Sequence, residues 1–189
     1  MSKDELLGKI GEQEALLRSL LIEYWKQFSG LSSWQFWVII AMLVIPLIVL
    51  YFTIDRNRVF VLGFFGFCVH VITTYVDITG VRLGYWEYPQ YVLPYLRLTL
   101  GLDTALIPVV FMLLYQWVTA RKKNYYLYAL ILGAIFAFVI KPILSYFDFF
   151  RLHQGMNYLT LYLFAYIPIV LLSKWLFNSF VFLDKQKKH

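Results

Sequence analysis

Apolar residues along this chain fall into five long runs separated by short polar stretches. A helix needs about 20 residues to cross the hydrocarbon of a bilayer. The runs are Trp34–Ile54, closed by Asp-Arg-Asn-Arg at 55–58; Val59–Val76; Leu102–Thr119, closed by Arg-Lys-Lys-Asn at 121–124; Tyr125–Phe147; and Tyr158–Phe182, followed by Asp-Lys-Gln-Lys-Lys-His. Ahead of them, Leu6, Leu7, Ile10, Leu17, Leu20, Leu21, Tyr24 and Phe28 recur at helical spacing, with Lys9, Glu12, Arg18, Glu23 and Lys26 between them. That pattern predicts an amphipathic helix, lying on the membrane or packed on a partner. Tyr91–Leu100 is too short to span and contains Pro94, so it reads as re-entrant or interfacial. The predicted fold is all-α: an integral membrane bundle of about five transmembrane helices. Residues 1–30 form the N-terminal helix, 31–183 the bundle (spans near 34–54, 59–77, 102–119, 125–147 and 158–182) and 184–189 a basic tail.

Composition supports lipid as the solvent. Of 189 residues, 61% are hydrophobic and 15% charged, against roughly 45–50% and 25% in soluble domains. The net charge of +6 does not point to nucleic acid, because the basic residues sit at the ends of apolar runs, where they anchor helices. The single cysteine, Cys68, excludes an internal disulfide and a multi-cysteine metal site, and its apolar setting reads as a small buried hydrophobe. Residues 1–29 lack a signal peptide's basic start and immediate apolar stretch, which makes the first run an uncleaved anchor.

Alternation of five spans puts the 55–58 loop, the 121–124 loop and the C-terminus on one side. Arg56, Arg58, Arg121, Lys122, Lys123, Lys185, Lys187 and Lys188 gather there, with Lys174 in snorkelling reach. The positive-inside rule therefore predicts a cytoplasmic C-terminus and an external N-terminal helix.

Within the spans, polar residues are patterned. Gly63, Gly66, His70, Thr73 and Asp77 form one stripe of the second span, and Ala129, Gly133, Ala137 and Lys141 one stripe of the fourth. Small-residue stripes let helices approach closely, so these two helices are expected to pack on each other. Lys141 lies about 17 residues past the 121–124 loop, roughly 25 Å along a helix, near the opposite surface. Asp77 and Asp103 end and begin spans there, and Arg82, Trp86, Glu87, Arg97, Asp148 and Arg151 belong to that side. Ionisable groups at membrane depth pair; the expected pair is Asp103 with Lys141, with Asp77 and Arg97 as second choices. The candidate binding residues are Asp77, Arg82, Trp86, Glu87, Arg97, Asp103 and Lys141. Tyr85, Trp86, Tyr88, Tyr91 and Tyr95 read as an interfacial aromatic belt. His70 is expected to bond a neighbouring helix. Gly80 and Gly84, despite their dimer-motif spacing, read as turn glycines.

The chain contains no phosphate-binding glycine loop, His-Glu-x-x-His, Gly-x-Ser-x-Gly or Cys-x-x-Cys; no cofactor and no metal site is expected. The expected partners are membrane lipid and either a partner protein through the N-terminal helix or an oligomer through the bundle, with no nucleic acid. The leading functional expectation is a non-enzymatic binding or accessory subunit of a membrane complex. The alternatives are an enzyme acting on a lipid or isoprenoid, with Asp77, Glu87 or Asp103 as proton donor, and a small transporter lined by His70, Thr73 and Asp77.

The order of several segments adds a resemblance. "WQFW" opens the first span, "GYWEYP" occupies 84–89, "LDTALIPVVFMLLYQW" 102–117 and "AIFAFVIKPIL" 134–144. With the amphipathic N-terminus, these segments resemble an uncharacterised family of small multi-pass membrane proteins from Bacillus-type, spore-forming Firmicutes, over roughly residues 15–180. The resemblance implies residence in a bacterial cell or spore membrane and supplies no activity.

Overall fold

The computed structural model describes residues 1–95, 100–153 and 155–186. Among them are six helical stretches: α1 (Lys3–Tyr24), α2 (Trp34–Thr53), α3 (Val59–Arg82), α4 (Leu100–Ala120), α5 (Tyr125–Tyr146) and α6 (Tyr158–Asp184). The last five are long and apolar enough to cross a membrane, which fits a multi-pass membrane protein. Each start has a local cause. Ser2 and Glu5 form a reciprocal capping box at α1, Ser33 Oγ accepts from the Phe36 amide at 3.2 Å, and Asn124 Oδ1 accepts from the Tyr126 amide at 2.9 Å. These side chains satisfy amides that a helix start leaves without partners.

Helix α3 runs past the expected end at Val76, so Asp77 lies inside it rather than at its terminus. Its end is a Schellman turn: the Tyr85 amide donates to Gly80 O, the Gly84 amide to Val81 O, and Gly84 takes φ 72°. Glycine carries that left-handed conformation without a Cβ clash. Gly84 is thus the turn glycine expected, whereas Gly80 is helical.

No side chain of α1 is buried. One wider π turn, Trp25–Ser29, carries the chain to the bundle. There Ser29 Oγ lies 3.0 Å from Gln90 Oε1, Tyr24 stacks on Tyr91, and Tyr91 OH donates to Leu21 O at 3.2 Å. Tyr91–Tyr95 forms bends and a turn, residues 96–99 of the expected re-entrant segment lie outside the described residues, and Leu100 opens α4. A two-residue antiparallel ladder pairs Trp86 with Leu152 and Glu87 with Arg151, joining the α3–α4 connection to the α5–α6 connection.

In the bundle, α3 packs against α4 and α6, and α5 also packs against α4 and α6. The expected direct packing of the two small-residue stripes is therefore corrected: the third and fifth spans are the principal neighbours of both. Gly133 receives the Tyr166 side chain of α6, and Gly66 receives Met112 of α4. Gly63 has open space around it and holds no close approach. Ala129 and Ala137 are fully buried, as is Cys68.

The end bearing the 55–58 and 121–124 loops has its own polar anchor. Lys174 does not snorkel outward. Its ammonium donates to Tyr115 OH at 3.2 Å, with the Tyr115 and Phe177 ring centres 4.4 and 4.7 Å away. A cation over aromatic faces is stabilised without water.

Candidate functional site

Three of the spanning helices are distorted by the same device. Helices α4, α5 and α6 each contain one π turn, at Leu100–Leu106, Phe136–Ile140 and Tyr162–Tyr166. A proline stands two residues beyond each: Pro108, Pro142 and Pro168. Proline has no amide to donate and its ring crowds the carbonyl one turn back, and a widened turn accommodates both effects. Asp103 O lies five residues before Pro108, so its π-type donor is missing. His70 Nδ1 takes that role at 3.0 Å. Because a carbonyl only accepts, the His70 proton resides on Nδ1.

The π turns place polar side chains at one level of the bundle. Asp103 is in the first, Lys141 directly follows the second, and Tyr166 ends the third; they are 5%, 4% and 2% exposed. Asp77 and Thr73 of α3 face the same point, and Trp86 and Tyr88 fold over it from the α3–α4 connection; all four are buried. Trp86 Nε1 donates to Asp77 Oδ1 at 3.0 Å, and Tyr88 OH donates to the same oxygen. Lys141 Nζ donates to Tyr88 OH at 2.9 Å and sits 3.9 Å from the Phe150 ring centre. Its charge attracts Asp77 foremost and Asp103 next, and the Asp103 carboxyl acts directly on Asp77. The expected Asp103–Lys141 pair is thus a wider centre, in which Tyr88 bridges the ammonium to Asp77.

Tyr88 was expected in an interfacial belt, and so were Trp86 and Tyr91; the structure buries all three and leaves Tyr85 and Tyr95 exposed. Gly80 explains the seat of Trp86. A Cβ there would stand 1.9 Å from Trp86 Cζ2, so only glycine lets the indole lie flat on α3.

The centre borders a partly open cavity of about 20 Å³, where Thr73, Asp77, Trp86, Asp103, Lys141 and Tyr166 meet apolar side chains of α3, α4 and α6. Asp77 Oδ2, Thr73 Oγ1 and Tyr166 OH are buried with no hydrogen-bond partner among the described residues. Buried polar atoms are nearly always satisfied, so three in one place demand an explanation. Beside the cavity, sharing Val76 and Trp86 as walls, lies a groove of about 450 Å³ on the flank of the bundle.

Other predicted residues lie apart. Arg82 is exposed at the end of α3. Glu87 belongs to an outer rim, with its Oε1 3.2 Å from His153 Nε2 and 3.5 Å from Arg151 Nη1; Arg151 Nε donates to Asp148 at 2.7 Å. The Asp148 carboxylate holds the Arg151 guanidinium pKa above its ordinary range. Arg97 lies outside the described residues. Tyr166 and Gly80 were not singled out from sequence as parts of a site. The repeated proline two residues past each π turn is the signal that would have found Tyr166. The chain matches no family model, no curated protein and no solved structure.

Proposed function

We propose that this chain is a non-enzymatic subunit of a bacterial cell membrane complex, and that its buried acid–lysine–tyrosine centre is a binding site. One observation carries the reading. Three helices are deformed to deliver Asp103, Lys141 and Tyr166 to one point, yet three polar atoms at that point have no partner among the described residues. A centre built only to lock helices would satisfy its own hydrogen bonds, since each orphaned buried group costs about 1–3 kcal/mol. With the basic loops and C-terminus cytoplasmic, the site lies in the outer leaflet, beneath the docked end of α1. The free length of α1 offers a partner subunit a helix to pack on.

The apolar groove beside Asp77 favours a second reading, an enzyme acting on a lipid or isoprenoid with Asp77 as proton donor. Both readings place a membrane-derived molecule at the centre; they differ in whether it leaves changed. Wild-type protein and Asp77→Asn, each excised from the native membrane with its surrounding lipid, provide the test. A subunit or small molecule retained by wild type and lost from a folded Asp77→Asn variant is the expected result. Identical bound material in both would refute the binding site. Conversion of the retained molecule on incubation would select the enzyme.

A further inference from the structure

The groove and the cavity differ in chemistry, and together they define a ligand. Tyr75, Thr79 and Gly80 of α3 form one wall of the groove, Phe164 of α6 the other, and Trp86 its inner end. Tyr75 and Phe164 are 69% and 71% exposed, on a surface that lies at membrane depth, so the groove opens to lipid. Thr79 Oγ1 is already committed to the Tyr75 carbonyl at 2.8 Å. The groove therefore presents mainly apolar surface, and its volume suits a small-molecule site.

The cavity behind Trp86 sets the other end. A space of about 20 Å³ admits a single oxygen-sized group, since one water needs on the order of 10–15 Å³. Asp77 Oδ2 needs a donor, and the Thr73 and Tyr166 hydroxyls can donate to an acceptor. A hydroxyl is both. A phosphate is too large, and two carboxyl groups would repel it. A second ammonium would meet Lys141.

We infer that groove and cavity form one site for a neutral long-chain alcohol, with its chain in the groove and its hydroxyl bound to Asp77 Oδ2. The inference rests on the reading of the centre as a binding site. Trp86 is the gate: its indole bonds Asp77 Oδ1 at 3.0 Å and lines both spaces. The hydroxyl enters when the indole lifts from Gly80.

The test uses the full chain in phosphatidylcholine nanodiscs and a long-chain primary alcohol carrying a photoreactive diazirine in its chain. Peptide mapping should find saturable labelling at residues 75–86 and 156–164. Unlabelled alcohol should compete about tenfold or more better than its methyl ether, the loss expected when a buried acceptor goes unsatisfied, and better than its phosphate ester. Asp77→Asn should shrink that preference. Thr79→Trp, which fills the groove from an exposed position, should abolish labelling without changing the unfolding midpoint. Equal competition by alcohol, ether and phosphate would overturn the hydroxyl assignment and leave a chain-binding groove. Absence of saturable labelling would overturn the inference. If a different molecule were still lost from Asp77→Asn, the binding-site reading would survive that failure.

Discussion

Gly80→Ala is the sharpest perturbation of the site, because it adds one methyl group and nothing else. The new Cβ would stand 1.9, 2.1 and 2.4 Å from three atoms of the Trp86 ring. Ordinary carbon contact is about 3.5–4.0 Å, so the ring must retreat by roughly 1.5 Å. That displacement breaks the 3.0 Å bond from Trp86 Nε1 to Asp77. Overpacking costs about 1–3 kcal/mol, and losing a hydrogen bond to a charged group about 1.5–3 kcal/mol. Replacing glycine inside a helix returns about 1 kcal/mol. The net loss is about 1.5–5 kcal/mol, which at 2–4 °C per kcal/mol for a chain of this size lowers the midpoint by about 3–20 °C. Cys68 supplies the assay: it is the only cysteine and is fully buried, so a thiol-reactive dye reports unfolding. Gly63→Ala is the matched control, on the same helix with open space around it, and should be neutral or slightly stabilising. In a Trp86→Ala background the Gly80→Ala cost should vanish. Equal midpoints for Gly80→Ala and Gly63→Ala would refute the packing argument.

Three further outcomes follow from other contacts. Lys141→Met removes the ammonium facing Asp77 and Asp103 and should cost about 3–5 kcal/mol, the penalty for an uncompensated buried charge, read as the unfolding midpoint in detergent. Gly101→Ala should be far more damaging than Gly66→Ala. The first meets the Ile39 backbone oxygen at 2.5 Å, whereas the second meets the mobile Met112 Cε; folded yield and midpoint compare them. The Arg58 side chain, followed by the Asn57 amide, holds the Asp55 carboxyl below its ordinary range. A depressed carboxyl stabilises fully above its unfolded value of about 3.9 and loses that contribution as pH falls through the folded value. The stability gap between wild type and Asp55→Asn should therefore close on acidification from about pH 5 downward.

Much of the architecture was written in the hydropathy. Five apolar runs gave five spans because lipid admits few other solutions, and counting residues along helices brought Asp77, Asp103 and Lys141 to one depth. Contacts between spans were less legible. The two stripe-bearing helices share a period and both neighbouring spans but do not pack on each other, because periodicity names a face and not what covers it. Gly80 looked like a turn residue since its role depends on Trp86, six residues on and folded back. Tyr88 looked interfacial because tyrosine suits both a headgroup layer and a buried bridge, and only the ladder with Arg151–Leu152 selects the second. The π turns were encoded in three prolines, but a proline in an apolar run equally signals a kink or a helix start.

Whether the acid–lysine–tyrosine centre serves binding or assembly is decided by the unfolding midpoint of Asp77→Leu/Lys141→Met. The double variant removes one buried charge of each sign. Replacing both members of a buried ion pair by apolar groups is often neutral or stabilising, whereas removing one member leaves an uncompensated charge. The expected midpoint lies well above that of Lys141→Met alone, because Asp77 no longer faces a missing cation, and below wild type only by the lost Trp86 and Tyr88 bonds to Asp77 and the unpaired Asp103. A midpoint as low as that of Lys141→Met alone would mark the centre as a structural lock and refute the binding role.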